Sequence, residues 1–414
     1  MKTSLFDRKI LSWCLFDFAN SSYSAVIAAV IFPVYYTTVI VGNDANLGDL
    51  WWGRSISVSM AFVALSSPFL GGISDKARAK KKFLVAYTLL CVLATAFLAL
   101  VDEGMVMMGF FLIVLANVGM EGGMVFYNSF LNDITDNEHQ GRVSAWGYAT
   151  GYLGSIISLV VALLLVQTGH TTFAWPMVAV FFAVFSLPAF IFLPADRKGG
   201  QRLTKAARDG FATTWNVLRK MWSERDQRRF LLAYFLYEDG VNTVIVFSSI
   251  FASTTLGFTP QQLIGLYLVV QVTALAGAFL MARPIDYWGP KKVVSLSLVL
   301  WMLVSIVAYF VYHKSLFFVV ASMAGLGLGT VQAATRAFFA QFIPPGDESK
   351  YFGVYSLVGK TSAIVGPLIF GTVSSMTRSQ RPAVAAISIL FITGFVILQT
   401  VRGGKANVEK TGDG

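Results

Sequence analysis

Residues 13–24 read W-C-L-F-D-F-A-N-S-S-Y-S and lie inside an apolar run long enough to cross a bilayer. Asp17, Asn20, Ser21 and Ser24 stand in that run at spacing i, i+3, i+4, i+7, which puts them on one face of an α-helix. A carboxylate facing hydrocarbon is costly, so such a face turns toward protein or a watery cavity. The pattern returns at 239–243 as D-G-V-N-T. Both copies read D-x-x-N-[ST], and both sit early in an apolar segment that follows a basic stretch. Two homologous halves are expected, each opening with a polar-faced helix, the two helices meeting across a central pathway.

Outward from these helices the composition is that of a membrane protein. The 414 residues are 56% hydrophobic and 13% charged, too few charges to coat a water-soluble surface. Apolar segments of about 20 residues recur along the whole length, which is what a helix needs to span hydrocarbon. Twelve spans are expected, at 10–40, 52–74, 83–101, 105–131, 143–166, 173–193, 229–253, 261–282, 292–312, 316–341, 351–376 and 382–401. The fold class is thus all-α, twelve transmembrane helices in two pseudo-symmetric six-helix bundles. An even number of spans puts both termini on one side, and Lys and Arg identify that side. Of the 32 Lys and Arg, 26 fall in the N-terminus, the even-numbered loops and the C-terminal tail. Lys314, Arg378 and Arg381 fall in odd-numbered loops, and Arg54, Arg336 and Lys360 lie at or inside spans. Both termini are therefore expected in the cytoplasm. The net charge of +10 is a topology signal with some attraction to anionic lipid and requires no nucleic acid. Cys14 and Cys91 lie in apolar segments and read as packing residues, neither a disulfide nor a metal pair. The basic N-terminus precedes a long run holding Asp17 and Asn20, which reads as a retained helix and not a cleaved signal.

Residues 1–193 form the first bundle, 194–228 a basic cytoplasmic linker, 229–401 the second bundle and 402–414 a cytoplasmic tail. Within the linker, residues 206–222 are expected to form a short amphipathic helix at the membrane surface. The halves repeat beyond their opening helices. G-G-I-S-D-K-A-R-A-K-K-K at 71–82 follows span two, and A-R-P-I-D-Y-W-G-P-K-K at 282–292 follows span eight, which aligns Asp75 with Asp286. Gly151 in span five aligns with Gly359 in span eleven, and Gly119 in span four with Gly327 in span ten. A parallel duplication of six spans accounts for these correspondences.

Six plus six spans, a basic central loop and G-x-x-x-D-[RK] after span two together resemble the major facilitator superfamily. Within it, W-C-L-F-D-F-A-N-S-S-Y at 13–23, Y-E-D-G-V-N-T at 237–243 and Y-F-G-V-Y-S-L-V-G-K-T-S-A-I-V-G-P at 351–367 are similar to the vacuole-effluxer branch. These are bacterial and fungal relatives of the vacuolar amino-acid exporters linked to autophagy. The resemblance covers essentially the whole chain. It implies a transporter of the bacterial inner (plasma) membrane, with spans one, four, seven and ten lining the pathway. The implied activity is secondary active transport of a small polar solute, an amino acid among the candidates, by alternating access. The chain departs from the pattern at Arg78 and Ala79, where a glycine follows the acidic-basic pair, and at Ala282, again in place of glycine. Span five has Ser158-Leu159 where drug/proton antiporters carry G-P, although Gly366-Pro367 occurs in span eleven. A drug/proton antiporter and a membrane sensor that has lost transport are the competing readings.

The polar content agrees with that lining. Span one offers Asp17 and Asn20; span four offers Asn117, Glu121, Asn128 and Asn132 within a narrow arc of the helix. Span seven offers Glu238, Asp239, Asn242 and Thr243, and span ten places Gly325, Gly329, Gln332 and Arg336 on one face. Lys360 of span eleven lies nine residues past Tyr351, about 13 Å along the helix. Intramembrane carboxylates mark substrate and proton pathways, so Asp17, Glu121, Glu238 and Asp239 are candidates to bind solute or a proton. Their competing role is a structural hydrogen bond between helices. Arg336 and Lys360 are candidates to anchor an anionic group, or else to pair with one of these acids or reach toward the interface. Charges of both signs suit a zwitterion.

Asp75, Lys76, Arg78, Asp286, Lys291 and Lys292 are gating candidates. The resemblance implies that the acidic residue meets a helix N-terminus of the other half, a place that attracts anions. Pro33, Pro68, Pro188 and Pro367 are expected to kink their helices. His139, His170 and His313 are scattered near loops, and the phosphate loop G-x-x-x-x-G-K-[ST] is absent. No enzyme activity, metal or cofactor is expected, the driver being a proton or another ion. The expected partners are a small-molecule solute and the lipid bilayer, with no nucleic acid, and the chain is expected to act as a monomer.

Overall fold

The computed structural model describes residues 7–402 apart from 78, 136–139, 197–199 and 345–346. Among the described residues there are helices and no strands, as a chain in hydrocarbon requires when every backbone N–H must bond within its own segment. Twelve helical segments are long and apolar enough to cross a membrane. Spans one to six run Arg8–Ile40, Asp44–Gly72, Lys80–Leu100, Val106–Ser129, Trp146–Gln167 and Thr171–Phe192. Spans seven to twelve run Arg225–Thr255, Pro260–Met281, Pro290–Phe310, Lys314–Ala340, Lys350–Thr377 and Gln380–Gln399. The largest departure from the sequence boundaries is in span two, whose α-helix starts at Leu47. Asp49 is fully buried in its first turn, where a helix favours an acidic side chain.

The chain divides into two units, Met1–Ala212 and Thr213–Gly414, the division falling inside a helix at Leu203–Ser223. In the first unit span one packs on spans five and six, span three on spans four and six, and span two on span four. In the second, span seven packs on spans eleven and twelve, span nine on ten and twelve, and span eight on ten. The same five pairings recur, so the duplication read in the sequence is a duplication of packing. It extends to single residues. A Cβ on Gly119 would lie 2.6 Å from the Cys91 nitrogen of span three, and one on Gly327 would lie 3.0 Å from Trp301 Nε1 of span nine. Both glycines let neighbouring helices approach closely.

The basic residues that follow spans two and eight also correspond. Lys81 Nζ donates to the Ile191 and Leu193 carbonyls at the end of span six, at 3.1 and 2.8 Å. Lys291 Nζ donates to the Gln399 and Val401 carbonyls at the end of span twelve, at 3.1 and 2.6 Å. The last carbonyls of a helix have no partner within it and carry partial negative charge, so an ammonium satisfies both needs. Lys291→Met should therefore destabilise the second unit by about 1–2 kcal/mol, the lower part of the range for charge-assisted bonds because the site is partly exposed. Thermal unfolding of the purified protein reads this, and an unchanged melting temperature would mean that water replaces the ammonium without loss.

Not every span is a uniform α-helix. In span one the turns widen after Ser22, Ile31 N–H bonding to the Val26 carbonyl five residues back, and Pro33 follows without an N–H to offer. Span eleven is interrupted: one helix ends at Thr361 and the next begins at Val365. Pro68 and Pro188, expected to kink their spans, lie in helices that continue through them.

Candidate functional site

The interruption in span eleven organises the second unit. Pro367 has no N–H and cannot bond back to the preceding turn. The Gly366 N–H turns away from its own helix and donates to Asp239 Oδ1 at 2.8 Å. Asp239 is fully buried in span seven and so caps the start of the Val365–Thr377 helix, where backbone N–H groups are unpaired and favour negative charge. Its second oxygen, Oδ2, has no hydrogen-bond partner among the described residues. Thr243 Oγ1 donates to the Asp239 carbonyl at 2.7 Å, and Asn242 Nδ2 reaches Ser362 Oγ at the break, at 3.3 Å.

Toward the other end of span seven is a tyrosine cluster. Tyr234 stacks on Tyr355 of span eleven with centroids 4.5 Å apart, and Tyr237 OH bonds Thr335 Oγ1 of span ten at 2.9 Å. Glu238 is half-buried and close enough to Tyr234, Tyr237 and Tyr355 to act on each electrostatically; Arg336 acts on Tyr355 as well. Gln332 and Arg336 are exposed and Lys360 is half-buried, while Gly325 and Gly329 of the same helix turn to span eight. The face read from sequence therefore splits, its glycines serving packing and its polar residues remaining open.

In the first unit Asp17 is half-buried, and its Oδ1 accepts from Asn20 Nδ2 at 3.2 Å within span one. Gly147 and Gly151 of span five let that helix approach: a Cβ on the first would meet Trp13 at 2.6 Å, and one on the second Ser21 Oγ at 2.8 Å. Glu121 is half-buried and acts on Tyr23 of span one. Asn117 is buried and donates to Ser59 Oγ of span two at 2.7 Å, whereas Asn128 is exposed. The two share an arc, but span two covers only the deeper one, so Asn117 ties helices together.

Among the gating candidates, Lys76 Nζ lies 3.9 Å from Asp209 Oδ2 in the linker helix, Asp286 is exposed, and Lys291 is held by the span-twelve carbonyls. Arg78 and His139 lie outside the described residues, as do the side chains of Asp75, Asn132 and Ala282. No group of His, Cys, Asp and Glu arranged to hold a metal occurs among the described residues.

Residues 54–411 match the family described as vacuole effluxer Atg22 like. The chain belongs to this family. It is 29% identical to the uncharacterised MFS-type transporter YxiO of Bacillus subtilis (strain 168), over 96% of this chain and 95% of that one. It is 24% identical to autophagy-related protein 22 of Pichia angusta, over 84% of this chain and 76% of that one. Among solved structures it resembles the nucleoside transporter NupG, with a TM-score of 0.72 at 14% identity, covering 95% of this chain and 98% of that one. It also resembles the human organic anion transporter MFSD10, with a TM-score of 0.65 at 16% identity, covering 95% of this chain and 99% of that one. At these identities the likeness establishes the fold, which is that of the major facilitator transporters. This Atg22-like chain is accordingly a membrane transporter of that type and not an enzyme.

Reading the sequence alone missed Ser362, Tyr234, Tyr355 and Thr335, and it missed that Gly366, a close-packing glycine, also gives its N–H to Asp239. The available signal was Gly366-Pro367 inside an apolar span, which marks a broken helix. The glycine register also needs correction. The glycine that meets the hydroxyl residue of the opening helix is Gly151 in one unit and Gly366 in the other, not Gly359, which lies against Tyr234.

Proposed function

We propose that this Atg22-like protein is a secondary active transporter of a small zwitterionic solute, amino acids being the first class to test, working by alternating access in a bacterial plasma membrane. The reading rests on Asp239: a fully buried carboxylate with one oxygen at a helix start and the other without a hydrogen-bond partner among the described residues. Such a group is retained in hydrocarbon at considerable cost and marks a solute or ion pathway. Glu238, half-buried in span seven, and Arg336, exposed in span ten, are the candidates of opposite charge for the ammonium and carboxylate of a zwitterion. Asp17, Asn20 and Glu121 are the corresponding candidates in the first unit, and a proton or another cation is the proposed driver.

A thermal-shift screen of the purified protein against metabolites identifies ligands, because a compound that binds the native state raises its apparent stability. Flux of each hit into proteoliposomes then tests transport. Gradient-dependent accumulation of an amino acid supports the reading. Binding without flux under any imposed gradient would make the protein a sensor, and uptake confined to lipophilic cations would make it a drug antiporter.

The orientation is tested separately. With both termini and the linker in the cytoplasm, cysteines introduced at Asn43 or Thr171 should react with an impermeant thiol reagent from outside, and one at Gln201 should not. Cys14 and Cys91 are buried and give no background. The reverse pattern would invert the topology.

A further inference from the structure

The linker helix Leu203–Ser223 is seated by close contact on the end of span two. A Cβ on Gly72 would lie 2.6 Å from the Gly210 Cα, and one on Gly210 would lie 2.6 Å from the Pro68 carbonyl oxygen. Buried Ala206 stands one turn before Gly210 on the same side. Two further contacts hold the entry to the helix: Gln201 N–H donates to the Lys76 carbonyl at 3.0 Å, and Lys76 approaches Asp209. The rotation of the helix about its axis is therefore set by packing.

That rotation leaves an apolar seam partly exposed. Phe211, Trp215, Leu218 and Trp222 recur at i, i+4, i+7, i+11; Trp215 is 55% and Trp222 46% exposed. The seam is not isolated. Phe211 stacks on Phe69 with centroids 4.8 Å apart and planes 14° apart. Phe69 continues the exposed stripe Phe62, Leu65, Phe69 of span two, an apolar surface suited to lipid. The exposed apolar surface thus runs from the span onto the linker helix. Along one edge of the seam stand Arg208 and Arg219, both exposed, about 20° and 40° around the helix from Trp215 at 100° per residue.

We propose that this helix lies in the interfacial layer of the bilayer and binds an anionic phospholipid headgroup through Arg208 and Arg219. Tryptophan rings favour the headgroup level, where one part of the ring is apolar and the N–H is wet. The planar guanidinium matches a phosphate through two parallel hydrogen bonds, and it reaches the headgroup from a helix whose apolar face is in the acyl boundary. The occupant is the lipid leaflet and not a second protein, because the seam continues the exposed apolar surface of a membrane span and its charged edge is uniformly basic.

The test uses the full-length protein in nanodiscs of phosphatidylcholine, with and without one quarter phosphatidylglycerol. A nitroxide on Trp215→Cys should be more accessible to oxygen than to a water-soluble nickel complex. Phosphatidylglycerol should raise the melting temperature of the parent by several degrees. Arg208→Gln with Arg219→Gln should lose that rise, while Lys205→Gln with Lys220→Gln, an equal loss of charge farther around the helix from the seam, should keep it. Inorganic phosphate added to phosphatidylcholine nanodiscs should give no rise, which separates the headgroup from a free anion. A label shielded from both reagents, as by a protein partner, or exposed mainly to the nickel complex overturns the interfacial placement. A rise that survives in the Arg208 and Arg219 variant, or one reproduced by phosphate, overturns the headgroup site. None of these readouts depends on transport, so they stand or fall separately from the proposed function.

Discussion

Asp239→Asn should abolish gradient-driven accumulation in proteoliposomes while leaving solute exchange and the folded protein intact. The amide oxygen takes the place of Oδ1 and still accepts from the Gly366 N–H, so the start of the second helix of span eleven remains capped. What is removed is the charge and, with it, the capacity of Oδ2 to take up a cation. The new amide group points a donor where Oδ2 has no partner, a cost of about 1–2 kcal/mol that a folded transporter tolerates. Asp239→Ala provides the contrast. It leaves the Gly366 N–H without a partner inside the membrane, and it should lower stability by about 1–3 kcal/mol as well as stop transport. Counterflow, which needs binding and reorientation but no gradient, distinguishes the two variants. If the Asn variant accumulates solute as the parent does, Asp239 is a helix cap only, and Glu121→Gln becomes the variant to measure.

A second large effect is expected at Gly366. A Cβ there would run into Thr243 Oγ1 and lie 2.7 Å from Asp239 Oδ1 and 3.0 Å from the Asp239 carbonyl. Spans seven and eleven would have to separate, and overpacking of this kind costs about 1–3 kcal/mol. The same displacement would stretch the Asp239 bond to the Gly366 N–H. Gly366→Ala should therefore lower the melting temperature and remove uptake together. Adding Thr243→Ala takes away the nearest obstacle and should recover part of both losses. Gly353→Ala is the control in the same span, since a Cβ there meets nothing within 4 Å. Equal behaviour of the Gly353 and Gly366 variants would show that the two spans are not held at this point.

Much of this was legible in the residues. The repeated D-x-x-N-[ST], the positions of Lys and Arg and the lengths of the apolar runs carry the span count and the duplication, because hydrocarbon admits few alternatives to a helix. The bonds made by the motif were not legible. Asn20 turns back to Asp17 within its own helix and also reaches Met124 Sδ of span four, while Asn242, in the same place in its copy, reaches Ser362 of span eleven. The difference arises far along the chain, where Pro367 interrupts span eleven and span five has no such break. Asp239 and Gly366 are 127 residues apart, and no local pattern announces such a pairing. Asn117 shows the converse: helical periodicity put it with Asn128, but the neighbour that covers it, Ser59, is a property of packing.

The two lysine ties at the ends of spans six and twelve bear on how the chain is made. Lys81 reaches Ile191 across 110 residues, and Lys291 reaches Val401 across the same 110. Each tie can form only when the last helix of its own bundle has left the ribosome and the translocon, and each closes a loop of the same length, with a similar entropic cost. Synthesis thus presents the membrane with two equal tasks in succession. The first bundle can be fastened while the second is still untranslated, and no residue of the later half is needed to fasten it.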